Sequence, residues 1–331
     1  MFASETQFVE WLSRLVPARG RGLTLGIGDD AALVRVTHDR DWILTTDLSI
    51  EGIHYLHNLH PAASVGHRAL ARALSDVAAM GGVPRFALVS LALSQEAPRS
   101  WLQGLFGGIS RLARRCHVAV IGGDTAIVPG PTVIDVVAAG EARKGEALRR
   151  SGAHPGDLIF VSGRLGLSAL GLCLLKAGSR SRAAWATSAL RAHCYPEPQI
   201  RLGQFLSRQQ LASALIDLSD GLSSDLGRLC RASRVGARIW AERIPVPPIG
   251  RARDAHLWDP LQLALHGGED YQLLFTVPTA KVSRVPSHFH GVPLFQIGEI
   301  QQSKKTLLLR AGARPEDLLP AGYDHFRKLL S

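Results

Sequence analysis

The chain repeatedly places an acidic residue beside glycine, serine or threonine where an apolar run stops: GIGDD at 26–30, TTD at 45–47, LSD at 74–76, GGD at 122–124 and IDLSDG at 216–221. The runs leading into these acids alternate between strand and helix periodicity. LTLGI (23–27) and ALVRV (32–36) read as short strands, THDRD as a polar turn, and WILTT as a third strand ending at Asp47. In SVGHRALARALSDVAAM (64–80) the apolar residues recur at helical spacing and GGVP supplies a stop, so a helix carrying Asp76 in its last turns is expected. FALVSLAL (86–93) reads as a buried strand, residues 99–115 as an amphipathic helix, and VAVIGGD as a strand running into a glycine-rich turn. Strands alternating with helices indicate an α/β (α+β) architecture.

The polar, Gly/Pro-containing stretch KGEALRRSGAHPGD (144–157) marks a domain boundary, giving domains of 1–148 and 149–331. The second begins at LIFVSG and continues through an apolar helix near 165–177, the turn IDLSDG, a helix from about 222 to 234, and the strand YQLLFTV after HGGED. With 331 residues, 46% of them hydrophobic, each domain can bury a core of its own.

Several function classes are disfavoured. The start MFASETQFVEWL carries Glu5 and Glu10 where a secretory signal has a basic start and an apolar run, so a cytoplasmic protein is expected. Apolar runs such as FALVSLAL fall far short of the roughly 20 residues of a membrane helix. Cys116, Cys173, Cys194 and Cys230 form no CxxC pair, which argues against a disulfide framework or a thiolate zinc site. The net charge of +10 invites a nucleic-acid reading. The basic residues are scattered, however, in short groups such as Arg111, Arg114, Arg115 and Arg149, Arg150, with no zinc finger, RNP-like motif or basic tail. A basic surface that draws in small anions is expected, with no nucleic acid and no membrane as partner.

The acids themselves suggest phosphate chemistry. Mg²⁺ takes hard oxygen ligands and is usually held by one or two carboxylates together with substrate phosphates. Small neighbours let phosphates approach the backbone closely. Each cluster alone also fits an ordinary Asp turn; five of them at element ends fit a nucleotide site better. No GxxxxGK[ST] loop and no HRD or DFG element is present, so carboxylates and metal would have to hold the phosphates.

GIGDDAAL, TTDLSIEGIHY, ALSDVAAMGG, IGGDT, RRSGAHPGD, IDLSDGLSSDL, HGGEDYQLLF and GYDHF, in this order along nearly the whole chain, resemble the motif series of thiamine-monophosphate kinases. These enzymes belong to the aminoimidazole-ribonucleotide-synthetase superfamily of ATP-binding proteins. The resemblance implies two α/β domains, with N-terminal sheets pairing across the axis of a homodimer. It implies ATP-dependent phosphorylation of thiamine monophosphate to thiamine diphosphate with release of ADP, by in-line transfer assisted by several Mg²⁺ ions and without a covalent nucleophile. Carried over by motif, the Mg²⁺ ligands are Asp30, Thr45, Thr46, Asp47, Asp76, Asp124, Asp217 and Asp220, with Asp29 in the same turn as Asp30. ATP contacts fall on Gly123, Asp124, Arg150 and Ser219, and substrate contacts on His54, Glu269 and Tyr323. Taken singly, Arg150 also reads as an exposed linker charge, His54 as a surface histidine, Glu269 as a turn acid and Tyr323 as an aromatic docking a tail.

The chain departs from the family pattern at Ala73, where many relatives carry Asn, at Gly82, where Ala is usual, and at Tyr55, where Phe is common. Ala73 puts in doubt a side-chain hydrogen bond near Asp76. Rival readings within the superfamily are selenophosphate synthetase, aminoimidazole-ribonucleotide synthetase and the hydrogenase-maturation dehydratase. The first would show a reactive Cys near the N-terminus and the last a C-terminal Cys, whereas the first Cys here is Cys116 and the chain ends KLLS. GIHY, HGGED and GYDHF disfavour the purine enzyme. A non-catalytic nucleotide- or nucleic-acid-binding module is disfavoured by the presence of every acidic motif.

Overall fold

Ile134, Val136, Ala138 and Ala142, at every second position of Val133–Arg143, bury one face of that run, as a long strand covered on one side requires. In Arg40–Ile50, by contrast, Asp41, Ile43 and Ser49 are buried and the apolar Leu44 and Leu48 lie on the exposed face. In the computed structural model, which describes residues 4, 6–7, 9–11, 22–35, 37–249 and 258–326, these runs are the centre of the first of two sheets. Readings that involve Glu5, Val36 and the terminal KLLS lie outside the described residues.

The first half comprises β1 (Leu23–Leu25), β2 (Ala32–Arg35), β3 (Arg40–Ile50), α1 (Ala62–Ala79), β4 (Val83–Ser94), α2 (Arg99–Arg115), β5 (Ala119–Gly122), β6 (Thr125–Val128) and β7 (Val133–Arg143). Its seven strands run in the order β1-β2-β3-β7-β4-β5, with β6 also on β4. Only β5 and β6 lie parallel to their neighbour β4. The second half comprises β8 (Leu158–Ser162), α3 (Leu167–Lys176), α4 (Ala184–Cys194), α5 (Ile200–Arg208), β9 (Ala214–Leu218), α6 (Leu222–Ser233), β10 (Gly236–Trp240), α7 (Pro260–His266), β11 (Gln272–Val277), β12 (His288–Phe289), β13 (Val292–Gln301), β14 (Thr306–Leu309) and β15 (Glu316–Asp317). Its sheet has the order β15-β14-β10-β13-β8-β11-β9, with β12 on β13.

Helix α1 joins the two halves. Leu70 and Leu74, with no exposed surface, belong to the core of the first sheet, while Ala79 belongs to a cluster with Phe160, Leu206 and Phe275 from the second half. A helix buried on several sides needs small residues, because neighbouring backbones come close. A Cβ on Gly108 of α2 would stand 2.0 Å from the Ala63 carbonyl oxygen, and one on Gly203 of α5 would stand 2.0 Å from that of Ala78. Replacing Leu70 or Leu74 by Ala would cost about 2–5 kcal/mol, the range for fully buried leucines.

One sequence reading of burial and two of strand ends need correction. FALVSLAL is not a buried strand: within β4 the alternate residues Ala87, Val89, Leu91 and Leu93 are buried, while Phe86 and Leu88 are exposed on the other face. Strand β3 does not end at Asp47 but runs on to Ile50, paired with β7 throughout, so Asp47 sits within a strand. The IDLSDG stretch is not all turn: Ile216–Leu218 completes β9, buried beside β11, and only Ser219 to Gly221 turns. Both strand-end errors have one cause, since the polar Thr-Thr-Asp and Asp-Leu-Ser patterns mask ladder hydrogen bonds supplied by distant strands. No helix among the described residues is long and apolar enough to cross a membrane.

Candidate active site

Four pieces of chain bring carboxylates to one place. Asp29 and Asp30 precede β2, Thr45 and Asp47 project from the same face of β3, Asp76 lies in the last turn of α1, and Asp217 lies near the end of β9. Asp30, Asp76 and Asp217 each offer a carboxylate oxygen, and these atoms lie within 4.8 Å of one another. The Thr45 hydroxyl donates to Asp76 Oδ2 at 2.5 Å and the Ser75 hydroxyl to Asp217 Oδ2 at 2.6 Å. Arg150 donates to Asp30 Oδ1 at 2.6 Å, and its backbone N–H approaches Asp29 at 3.3 Å. It is therefore not an exposed linker charge.

So many acids with so few cations raise one another's pKa. Burial, then the charges of Asp47, Asp217 and Asp30, push the Asp76 carboxyl well above the ordinary carboxylate range. Burial and the neighbouring Asp30 bring Asp217 to about 7, although the Ser75 hydroxyl works against the rise. Asp29 rises to about 6 for the same two reasons, opposed by Arg150. Asp30 Oδ2 is buried and has no hydrogen-bond partner among the described residues. Converging hard oxygens, excess negative charge and an orphaned carboxylate oxygen fit a divalent cation such as Mg²⁺.

A second cluster lies along α1. Arg68, Arg72 and Asp76 recur every four residues, so they share one face of the helix. Arg68, only 3% exposed, donates to Glu269 Oε1 at 2.5 Å, to the His54 carbonyl at 3.0 Å and toward His193 Nε2 at 3.1 Å. His193 also meets His60 at 2.9 Å and the Ser168 hydroxyl at 3.1 Å. Burial works to raise Glu269, but Arg68, His193 and Arg72 outweigh it and hold the carboxyl at about 2. Glu269 has a left-handed backbone, φ 65°, fixed where its N–H donates to the Ser219 carbonyl at 2.7 Å. A non-glycine residue held in that region costs roughly 1–2 kcal/mol, which the Arg68 pair offsets. His54 Nδ1 accepts from the Ile50 N–H at 3.0 Å. Its ring lies 5.1 Å from that of His325, which in turn makes a T-shaped contact with Tyr323 at 4.7 Å. Burial and then the nearby Arg72 push His54 down to about 3, so its imidazole is neutral at physiological pH.

The acids, Arg72, Arg150, His54, His193, Glu269, Tyr323 and His325 line one cavity of about 1200 Å³ between the two halves, with Arg68 behind Glu269. Ligand pockets commonly measure about 300–1,000 Å³, so this one has room for two small substrates. Asp30, Thr45, Thr46, Asp47, Asp76, Arg150, Asp217, Ser219, Asp220, His54, Glu269 and Tyr323 all lie on its wall. Within it, Thr46 and Asp220 stand apart from the acid triad. Thr46 projects from the opposite face of β3, where its hydroxyl donates to Asp135 at 2.6 Å, and Asp220 is engaged by Arg228. Gly123 and Asp124 are not on the wall. They sit exposed between β5 and β6, with the Asp124 carboxylate accepting from the Thr125 N–H at 2.8 Å.

Sequence reasoning missed Arg68, Arg72, His193, His325 and Asp135. Two arginines in the otherwise apolar RALARALSD run, four apart and in phase with Asp76, were the readable signal for the first pair. His193 and Asp135 had none.

Two family models match the chain: AIR synthase related protein, N-terminal domain, over residues 28–142, and its C-terminal domain over 154–309. The curated thiamine-monophosphate kinase of Bacillus subtilis is 34% identical over 92% of this chain and 94% of its own length. That of Escherichia coli strain K12 is 38% identical over 91% and 92%. The chain belongs to the thiamine-monophosphate kinase family. The solved structure AaThiL complexed with AMPPCP and TMP superposes with a TM-score of 0.82 at 29% identity, covering 97% of each chain. The thiamine-monophosphate kinase fold thus consists of two AIR-synthase-like domains, as the motif series implied.

Proposed function

We propose that the protein transfers the γ-phosphoryl group of ATP to the phosphate of thiamine monophosphate, giving thiamine diphosphate and ADP. The observation that carries the reading is the meeting of Asp30, Asp76 and Asp217 in a cavity large enough for two substrates, in a chain of this family. The AaThiL structure, complexed with AMPPCP and TMP, supports the same pairing of ligands.

Asp30, Asp76 and Asp217 would hold Mg²⁺, with Asp47 and the Thr45 oxygen beside them, while Thr46, Asp220 and Asp124, which the motif series adds, stand apart from this triad in the chain. Bound Mg²⁺ supplies neutralisation of phosphate charge and orientation of the reacting oxygens. Arg150 and Ser219 would engage ATP; Gly123 and Asp124, which the motif series adds, lie off this cavity wall. The ring system of thiamine would lie against Tyr323 and His54, with Glu269 kept anionic by Arg68 to face its positive charge and amine. In the transfer, an acceptor phosphate oxygen forms a bond to the γ-phosphorus while the bond to the β-bridging oxygen breaks, and ADP leaves with the electron pair. The acceptor dianion and the ATP tetraanion yield two trianions, so no general base is required. An acceptor with a second pKa near about 6 is already ionised at neutral pH.

The exposed outer face of the first sheet, with Leu48, Phe86, Leu88, Val120 and Ile127, supports a homodimer through the N-terminal domains, because an apolar face of this kind needs a cover. We propose domains of 1–148 and 149–331, one sheet in each, and a cytoplasmic location. The test is product formation from ATP, Mg²⁺ and thiamine monophosphate by the purified protein, with free thiamine beside it; turnover of thiamine alone would refute the reading.

A further inference from the structure

Arg72 has no role in the account above, yet it stands where the two halves of the cavity meet. Its Nη2 lies 3.4 Å from Asp47 Oδ1 on the acid side, and its Nη1 lies 3.9 Å from Glu269 Oε1 on the other. The neighbouring guanidinium groups are committed at shorter range: Arg68 to Glu269 at 2.5 Å, and Arg150 to Asp30 at 2.6 Å. Of the five N–H donors of Arg72, one makes a long hydrogen bond, and Nε is buried with no hydrogen-bond partner among the described residues. The side chain is only 15% exposed. Burial alone would weaken its charge, but Tyr271, Asp47 and Glu269 hold the guanidinium protonated. A largely buried cation on the cavity wall, with donors unused and only long contacts of 3.4 and 3.9 Å to its two carboxylates, is arranged for an anion that arrives from solvent.

We infer that Arg72 binds the phosphate of the acceptor, thiamine monophosphate, and sets it between Glu269 and the acid cluster. The inference rests on the kinase reading above. Thiamine monophosphate is positive in its ring system and negative at its tail. Glu269, Tyr323 and His54 suit the ring, whereas the nearest buried surface toward Asp47 and Asp76 is acidic and repels a phosphate. Arg72 supplies positive charge at that junction. A planar fork also fixes the direction of a phosphate, which an in-line transfer demands. The same contact would let the site prefer the monophosphate to thiamine itself, which leaves the buried donors unpaired.

The test compares binding of thiamine monophosphate and of thiamine, by calorimetry without ATP, in the wild type, Arg72→Met and Arg72→Lys. Arg72→Met should weaken thiamine monophosphate by about tenfold or more while leaving thiamine within about twofold, as loss of a charge-assisted phosphate contact requires. Arg72→Lys, which keeps the charge but loses the fork, should fall between them. In steady-state assays the KM for thiamine monophosphate should rise with that for ATP unchanged. Equal weakening of both ligands would make Arg72 a mere support for Glu269, and unchanged binding of the monophosphate would remove it from the site; either overturns the inference. The lysine variant carries the same comparison if the methionine variant does not fold. A wild type that binds neither compound overturns the kinase reading itself, which is a distinct result.

Discussion

Replacing Asp217 by Asn should stabilise the metal-free protein while disabling it. Asp217 is 3% exposed, and burial together with Asp30 lifts its carboxyl from 3.8 to about 7. At 1.36 kcal/mol for each unit on the pKa scale, holding this group ionised costs the folded state about 4 kcal/mol at most. The sign follows from linkage: a folded-state value above the unfolded one gives stability that is present below about pH 4 and lost as pH rises through about 7. Asn does not ionise, so it escapes the loss. Its carbonyl can still accept from the Ser75 hydroxyl, and its amide can serve Asp30 Oδ2, which has no partner among the described residues. Desolvation of the amide and relaxation of the wild-type cluster leave roughly half the gain, about 2 kcal/mol, or about 3 °C in Tm for a chain of 331 residues. The assay is thermal unfolding in chelator from pH 4 to 8.5, repeated with Mg²⁺. The variant should melt with the wild type near pH 4 and above it at pH 8, and added Mg²⁺ should raise the wild type more than the variant by mass action. A variant that melts below the wild type in chelator at pH 8, or a gap that does not change with pH, would refute the reasoning.

Asp76→Asn should lower kcat roughly a hundredfold or more, as loss of a contact that offsets transition-state charge does. Asp220→Asn, at a carboxylate already held by Arg228, should cost less; near-wild-type turnover of Asp76→Asn in steady-state kinetics across a Mg²⁺ series would exclude it as a ligand. Light scattering at micromolar concentration should give a dimer mass, and Leu88→Asp on the outer face of β4 should give a monomer; a monomeric wild type would contradict the proposed pairing.

Local signals carried much of the fold. Residues 99–115 were legible as a helix to the residue, because the apolar period is strong and Pro98 fixes its start. β7 was not read, since VIDVVAAGEAR owes its place to ladders with β3 and β4 rather than to its own composition. The short helix α5 escaped for a similar reason, since Gly203 buries it against Ala78 of the distant α1. Helix α4 instead packs on its sequence neighbour α3 through the small residues Ala186 and Ala189, a weak apolar signal. In the site, the acids were visible because each sits in a distinctive Gly, Ser or Thr setting. The arginines were not, because a partner sets their role: Arg68 meets Glu269 across 201 residues of sequence, and Arg72 meets Asp47 across 25. Gly123 and Asp124 show the converse. Their motif is plain in the sequence, yet a single chain leaves them outside the cavity wall.

The central claim is the reaction, and product analysis tests it most directly. Purified protein with ATP and Mg²⁺ should convert thiamine monophosphate to thiamine diphosphate with one ADP formed for each, lose the activity in chelator, and leave free thiamine untouched. Phosphorylation of thiamine but not of its monophosphate, or a phosphorylated enzyme on the path, would contradict it.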